Sequence, residues 1–273
     1  MVINGKTTIT GIIGWPLEHS LSPTMHNAAF ADLSLNYCYV PFPVRPEALE
    51  HAISGLKALS IRGINVTVPH KERVIPFLDE VDAEASAIGA VNTIVQDEGR
   101  LIGYNTDGRG FMQSLAEGNI DPRDMVILIV GAGGAARAVG YALAEQARSI
   151  SLYGRTRDKV ERFASDLRRM GKPVTVCHDL SQLEQYHMIV HATPLGLKKE
   201  DPLPLDTMHL RAGQVVCDLI YMRTKLLDEA SRKECITLSG AGMLLWQGVL
   251  AFELWTGRKP DVAVMRRALL EAG

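Results

Sequence analysis

A lysine follows directly on a run of alternating polar and aliphatic residues, Ile64-Asn65-Val66-Thr67-Val68 and then Pro69-His70-Lys71. A period of two puts Asn65 and Thr67 on one face and the three aliphatic residues on the other. Such an edge reads as a ligand wall; a solvated edge strand is the plainer alternative. Three further segments repeat the mixture: His19-Ser20-Leu21-Ser22, Ala90-Val91-Asn92-Thr93 and Tyr104-Asn105-Thr106-Asp107. If these are strand ends of an open α/β sheet, they gather at one crevice. Their hydroxyls, amides, single cation and single carboxylate suit a polyhydroxylated carboxylate as ligand. Ser20 and Ser22 flank Leu21 at an expected helix start, where hydroxyls and free N–H groups converge on an anion. Lys71 supplies the cation of this set and Asp107 the carboxylate. There is no serine–histidine elbow, and the 8 histidines lack metal-ligand spacing, so no metal site is expected.

A second constellation is nucleotide-like. Ile127-Leu128-Ile129-Val130 leads into Gly131-Ala132-Gly133-Gly134-Ala135-Ala136, a G-x-G-x-x-A turn between an apolar strand and an Ala-rich helix. The first glycine permits the tight turn, and the second lets backbone approach a pyrophosphate at the helix N-terminus. An NAD site wants an acid at the end of the next strand, about 20 residues on, to accept from the ribose 2′-OH. Here that strand ends Tyr153-Gly154-Arg155-Thr156-Arg157-Asp158-Lys159, with no acid at its end and Asp158 already inside the helix. Guanidinium forks and a helix N-terminus match a 2′-phosphate, so NADP is expected. A merely solvated basic helix start is the alternative.

The elements needed to position these residues are those of an α/β protein. Strands are expected at Thr8–Ile13, Tyr37–Val40 and Ile64–Val68. Ala90–Val95 and Leu101–Tyr104 flank a hairpin turn at Asp97–Arg100. A helix opens at Ser22-Pro23, with Ser22 as N-cap and Pro23 at the first helical position, and another spans Pro46–Leu59. Further on, strands Val126–Val130, Ser149–Tyr153, Val174–Val176, Met188–His191, Val215–Leu219 and Ile236–Leu238 alternate with helices such as Ala135–Gln146 and Arg157–Met170. Parallel strands need such crossovers, which makes this half a doubly wound Rossmann-type sheet. Met243–Trp255 and Val262–Glu271 read as terminal helices. The expected organisation is a substrate-binding α/β domain over residues 1–107, a dinucleotide domain over 108–242, and helices 243–273 returning to the first domain.

Composition narrows the class further. The 273 residues carry 29 Lys plus Arg against 31 Asp plus Glu, a net charge of −2, which argues against a nucleic-acid binder. Hydrophobic residues at 47% and charged residues at 22% exclude a disordered chain. The longest uncharged stretches, Val126–Ala136 and Ser239–Phe252, fall short of the roughly 20 residues that span a bilayer. Met1–Trp15 has no basic start and is broken by Gly11 and Gly14, so no signal peptide is expected there. Four cysteines (Cys38, Cys177, Cys217, Cys235) without a C-x-x-C fit reduced thiols in a cytoplasmic protein.

Taken together, Ser20-Leu21-Ser22-Pro23 with Met25-His26-Asn27, Asn65–Lys71, Gly89-Ala90-Val91-Asn92-Thr93 and Gly103–Gly108 resemble the shikimate dehydrogenase family. Gly131–Ala136, Ala192-Thr193-Pro194-Leu195-Gly196 and Gly240-Ala241-Gly242-Met243-Leu244 with Gln247 extend the match in order along nearly the whole chain. The resemblance implies NADPH-dependent reduction of 3-dehydroshikimate to shikimate, and its reverse. By the same resemblance Ser20 and Ser22 bind the substrate carboxylate. Thr67, Asn92, Lys71, Asp107 and Gln247 hold the ring hydroxyls and the ketone, and Tyr221 lines the site. The implied cofactor contacts are Gly131, Gly133, Gly134, Ala135, Arg155, Thr156, Arg157, Lys159, Thr193, Gly240 and Met243.

Some positions depart from the family pattern. Gly154 stands where an asparagine often precedes Arg155-Thr156, and Lys159 where an arginine is common. His191 replaces the usual asparagine before Ala192-Thr193, and the typical proline after Tyr221 is absent, with a shortened segment before Leu226-Leu227. Three other functions fit parts of the sequence. An NAD-dependent quinate/shikimate dehydrogenase would want an acid at the strand end. A nucleotide-sensing module would have no need of Lys71 with Asp107, and an idle paralogue would bind without turnover. The partner expected is a small molecule alone, with no nucleic acid or membrane, and the chain is expected as a monomer or homodimer.

Overall fold

The structure, a computed structural model, describes residues 3–272. The first two residues of the stretch read as free of a signal peptide lie outside the described residues. The chain divides into two units: one runs to Thr106 and resumes at Leu245, and the other is Asp107–Leu244.

In the first unit the elements are β1 (Thr8–Gly14), α1 (Ser22–Asp32), β2 (Tyr37–Pro43), α2 (Leu49–Ala58), β3 (Gly63–Val66), β4 (Glu80–Val81), α3 (Ala83–Ile88), β5 (Thr93–Asp97) and β6 (Arg100–Tyr104). They build a six-stranded sheet of order β2-β1-β3-β5-β6-β4. It is mixed. β1 pairs in parallel with β2 and β3, whereas β5 runs antiparallel to both β3 and β6. The β5–β6 turn is the expected hairpin, with Glu98 and Gly99 at φ 46° and 79°, the left-handed pair of a two-residue primed turn. Because β5 is reversed, its start meets the end of β3, with Thr93 opposite Asn65. Ala90–Asn92 therefore precede a strand, yet lie at the edge where parallel strands finish.

One sheet face packs on α2, whose Leu49, Ile53 and Leu56 recur at helical spacing and join Ile13, Ile64, Val66 and Ile94 in a core. The resumed chain supplies the other cover. Gly63 has no side chain because the Trp255 indole lies where a Cβ would be, 2.1 Å away, and Trp255 Nε1 donates to Ile94 O at 3.1 Å.

Three expectations change here. Ser22 is not the N-cap of α1: Leu21 is, with φ −87° and ψ −8° and no side-chain cap, so Ser22 and Pro23 fill the first two helical positions. The Pro46–Leu59 helix begins as a turn of 3₁₀ helix over Pro46–Ala48. β3 stops at Val66, so Thr67 and Val68 leave the alternation, and Val68 is 62% exposed instead of joining an aliphatic face.

The second unit contains α4 (Asp107–Glu117), β7 (Val126–Val130), α5 (Gly134–Ala144), β8 (Ser149–Tyr153), α6 (Arg157–Arg168), β9 (Val174–Val176), β10 (Met188–His191), β11 (Val215–Asp218), α7 (Lys225–Arg232) and β12 (Ile236–Ser239). Its strands are all parallel, in the order β12-β11-β10-β7-β8-β9. This is the doubly wound arrangement, with β7 at the point where the winding reverses. Apolar runs such as Ile127–Val130 are buried on both faces, as central parallel strands must be. Gly108 brings α4 close to α5, where a Cβ would come within 2.7 Å of Ala138 O. α8 (Ala241–Thr256) contains the junction back to the first unit, and α9 (Val262–Ala272) packs against α1.

Candidate active site

The first unit holds a chain of buried amides and hydroxyls at the β3/β5 edge. Tyr39 OH donates to Asn65 Oδ1 at 2.8 Å, and Asn65 Nδ2 donates to Thr93 Oγ1 and to Asn92 O at 3.1 and 3.2 Å. Thr93 Oγ1 donates to Asn92 Oδ1 at 2.9 Å, an atom that also accepts from the Thr106 backbone N–H at 2.8 Å. Asn92 Nδ2 donates to Thr106 Oγ1 at 2.9 Å and reaches Gln247 Oε1 at 3.4 Å. Backbone groups fix the direction of this chain. Asn92 O can only accept and Thr106 N–H can only donate, so neither amide can flip without losing a buried bond.

At its far end the Ser22 side chain hydrogen-bonds the Tyr39 phenol, whose own pKa burial drives well above the ordinary value. That partner explains why Ser22 does not cap α1. Asn27 clamps the same strand, donating to Tyr39 O at 2.9 Å and accepting from Tyr39 N–H at 2.8 Å. Ser22, Asn92 and Gln247 are thus joined by one network through Tyr39 and Asn65, and all five residues are buried. Thr67 is half-buried beside Gly14, where a Cβ would meet its methyl group at 2.4 Å. Ser20 and Lys71 are half-buried in the same unit, and the Lys71 carbonyl accepts from Val91 N–H at 2.8 Å.

In the second unit Asp107 is buried at the first position of α4, and Tyr221 is half-buried, its phenol pKa raised by that burial. The glycine loop follows β7. Gly131 has φ +131° and a Cβ there would come within 2.8 Å of Ala192 O, so glycine is required. Its N–H donates to Tyr153 O at 2.8 Å. Gly133 is the exposed N-cap of α5 and a Cβ there would meet nothing within 4 Å. Gly134 and Ala135 follow half-buried in the first turn, so the helix start is uncrowded at Gly133, as an anion-binding helix N-terminus requires.

Arg155, Thr156, Arg157 and Lys159 are all exposed at the end of β8 and the start of α6. Thr156 is the N-cap without a side-chain cap bond. Arginine ion pairs elsewhere in the unit, such as Arg123–Asp121, Arg137–Asp166, Arg223–Asp228 and Arg232–Glu229, use none of these cations. Gly154 packs under α6, where a Cβ would lie 2.9 Å from the Val160 side chain. Gly240 crosses the Leu219 backbone, with a Cβ 2.1 Å from Leu219 O, and Met243 is buried in the core of this unit. Among the described residues no group of side chains could hold a metal ion.

Two family models match the chain: the shikimate dehydrogenase substrate binding domain over residues 12–94, and the shikimate 5′-dehydrogenase C-terminal domain over residues 240–270. A shikimate dehydrogenase (NADP(+)) of Carboxydothermus hydrogenoformans is 50% identical over 277 residues, covering 98% of this chain and 99% of that protein. The chain belongs to the shikimate dehydrogenase family. A crystal structure of a shikimate dehydrogenase in complex with NADP+ superposes with a TM-score of 0.92 at 43% identity, covering 99% of this chain and 97% of that one. A second, the Thermus thermophilus shikimate 5-dehydrogenase in complex with NADP(H) and shikimate, gives 0.89 at 36% identity, with 98% and 100% covered.

Against this shikimate dehydrogenase background, two of the chain's own departures acquire physical reasons. Gly154 allows the close approach of α6. The shortened segment after Tyr221 is closed by Thr224, whose Oγ1 donates to Asp218 Oδ2 at 2.7 Å and accepts from Leu227 N–H at 3.4 Å, capping α7. Tyr39 was not singled out by the sequence, since its partner Asn65 lies 26 residues away and no local spacing announces the pair.

Proposed function

We propose that the protein catalyses the reversible, NADP-dependent interconversion of shikimate and 3-dehydroshikimate, a step of aromatic amino-acid biosynthesis. The observation that carries this reading beyond family membership is the directed network from Ser22 through Tyr39, Asn65 and Asn92 to Gln247. A core has no use for so many buried polar groups, whereas a ligand rich in hydroxyls needs them held in fixed directions.

Ser20 and Ser22 hold the carboxylate, and Thr67, Asn92, Gln247 and Tyr221 hold the ring hydroxyls. Asp107 accepts from a ring hydroxyl and serves the same proton transfer as Lys71. The Lys71 ammonium donates a proton to the oxygen on which negative charge builds as the ketone is reduced, and in reverse the amine takes it back. When bound, the nicotinamide supplies or accepts the hydride. Gly131, Gly133, Gly134 and Ala135 would hold the pyrophosphate, and Arg155, Thr156, Arg157 and Lys159 the 2′-phosphate. Thr193, Gly240 and Met243 would shape the nicotinamide end.

The absence of an acid at the end of β8 favours NADP over the NAD-using quinate/shikimate alternative. The reading includes a cytoplasmic location, which four free thiols support, and a monomeric or homodimeric state. Absorbance at the reduced-nicotinamide band, followed with shikimate and with quinate, tests the substrate. Turnover is expected with shikimate; activity confined to quinate would contradict it.

A further inference from the structure

At the end of β10 the second unit contains a carboxylate–imidazole–hydroxyl relay in which Thr193 is backed by two buried residues, His191 and Asp218, that the reaction above does not use. His191 and Asp218 are 0% and 1% exposed. His191 Nδ1 lies 3.0 Å from Asp218 Oδ1, and its Nε2 lies 2.5 Å from Thr193 Oγ1. Asp218 also accepts from Ile220 N–H at 3.1 Å and from Thr224 Oγ1 at 2.7 Å. Thr193 Oγ1 in turn accepts from Leu195 N–H at 3.3 Å.

The protons of this relay can be placed. Ile220 N–H and the Thr224 hydroxyl both donate to Asp218, so its carboxylate acts as an acceptor and is met by a proton on His191 Nδ1. With that single ring proton Nε2 is the acceptor, and the Thr193 hydroxyl proton is spent on it. Leu195 N–H takes one Thr193 lone pair, which leaves the other as the hydroxyl's remaining capacity.

We infer that His191, held by Asp218, is a positioning residue that makes Thr193 an obligate hydrogen-bond acceptor toward the nicotinamide half of the cofactor. The half is assigned by topology. β10 and β8 flank β7 on opposite sides, the cationic cluster follows β8, and a dinucleotide straddles the switch point between them. The group recognised is accordingly a donor on that half, a carboxamide N–H or a ribose hydroxyl. This inference rests on the proposed cofactor role of Thr193. An asparagine at 191 would supply one short amide and could not hold Asp218 and Thr193 through two ring nitrogens on opposite sides of an imidazole.

Two measurements test it. In cofactor-free protein labelled with ¹⁵N-histidine, the His191 signal, identified by its loss in His191→Gln, is expected to show a protonated Nδ1 and an unprotonated Nε2. The opposite tautomer would overturn the inference, whatever the enzyme's cofactor. Equilibrium titration with NADP is expected to show Thr193→Val weakening binding about tenfold, with Thr193→Ser restoring it and KM for shikimate within about twofold of the parent. His191→Gln should weaken binding similarly, and His191→Gln with Thr193→Val no further than either alone, since both remove one function. Parent-like NADP affinity in Thr193→Val would overturn the inference, a result open even if His191→Gln fails to fold. A parent protein that binds no NADP would instead sink the cofactor reading itself.

Discussion

Lys71 and Asp107 carry the proton chemistry of the proposal, and each makes a separate demand on it. Removing Lys71 takes away a donor whose interaction strengthens as the alkoxide forms, so turnover suffers more than ground-state binding. Lys71→Ala and Asp107→Asn are each expected to lower kcat by roughly 10²–10⁴-fold, with far smaller changes in KM for shikimate. The double variant should lose much less than the sum of the two free-energy losses, because a shared role is lost once. Near-native kcat with a raised KM in Lys71→Ala would make this lysine a binding group. At the other end of the substrate, Ser20→Ala or Ser22→Ala should raise KM for shikimate; unchanged KM in both would place the carboxylate elsewhere. For the cofactor, Arg155→Ala should raise KM for NADP much more than KM for NAD, as expected of a guanidinium that meets a 2′-phosphate.

Elements differ in how far they were legible, and the difference follows the range of the interactions that shape them. The Gly131–Ala136 loop reads directly from sequence because its requirements are local: a positive φ at Gly131 and an uncrowded approach at Gly133. The hairpin at Glu98-Gly99 is local in the same sense. α3 carries local marks as well, with Asp82 accepting from Glu84 N–H at its start and Gly89 at φ 72° at its end, but its six residues are too short to show a helical apolar period. The Ser22-Pro23 spacing reads as an N-cap, but Leu21 takes that place and the Ser22 side chain answers to Tyr39, a partner distant in sequence.

His26 on α1 shows what such long-range packing costs. It is fully buried, stacks on Tyr39 at 4.5 Å, and neither ring nitrogen has a hydrogen-bond partner. Burial pushes its pKa from 6.5 down to about 3. The folded state therefore refuses a proton that the unfolded chain binds below its ordinary pKa. The stability contributed by neutral His26 is intact above pH 6.5 and is lost progressively as pH falls toward 3. Urea unfolding of the parent across this window should show an extra slope of roughly 1.4 kcal/mol per pH unit relative to His26→Phe. Identical slopes would mean that His26 takes up its proton in the folded state.

At the scale of the whole molecule, the motifs assigned to substrate and those assigned to cofactor fall largely in different units. The chain passes between the units at Thr106–Asp107 and again within α8. Family membership, the parallel sheet with its glycine loop and the cationic end of β8 all bear on one central claim, a shikimate dehydrogenase reaction that runs on NADP. The most direct test is steady-state kcat/KM for NADP and for NAD at saturating shikimate. The account predicts a preference for NADP of at least an order of magnitude, about 1.4 kcal/mol, from cations standing where an NAD site keeps an acid. Equal efficiency with the two cofactors, or a preference for NAD, would contradict it.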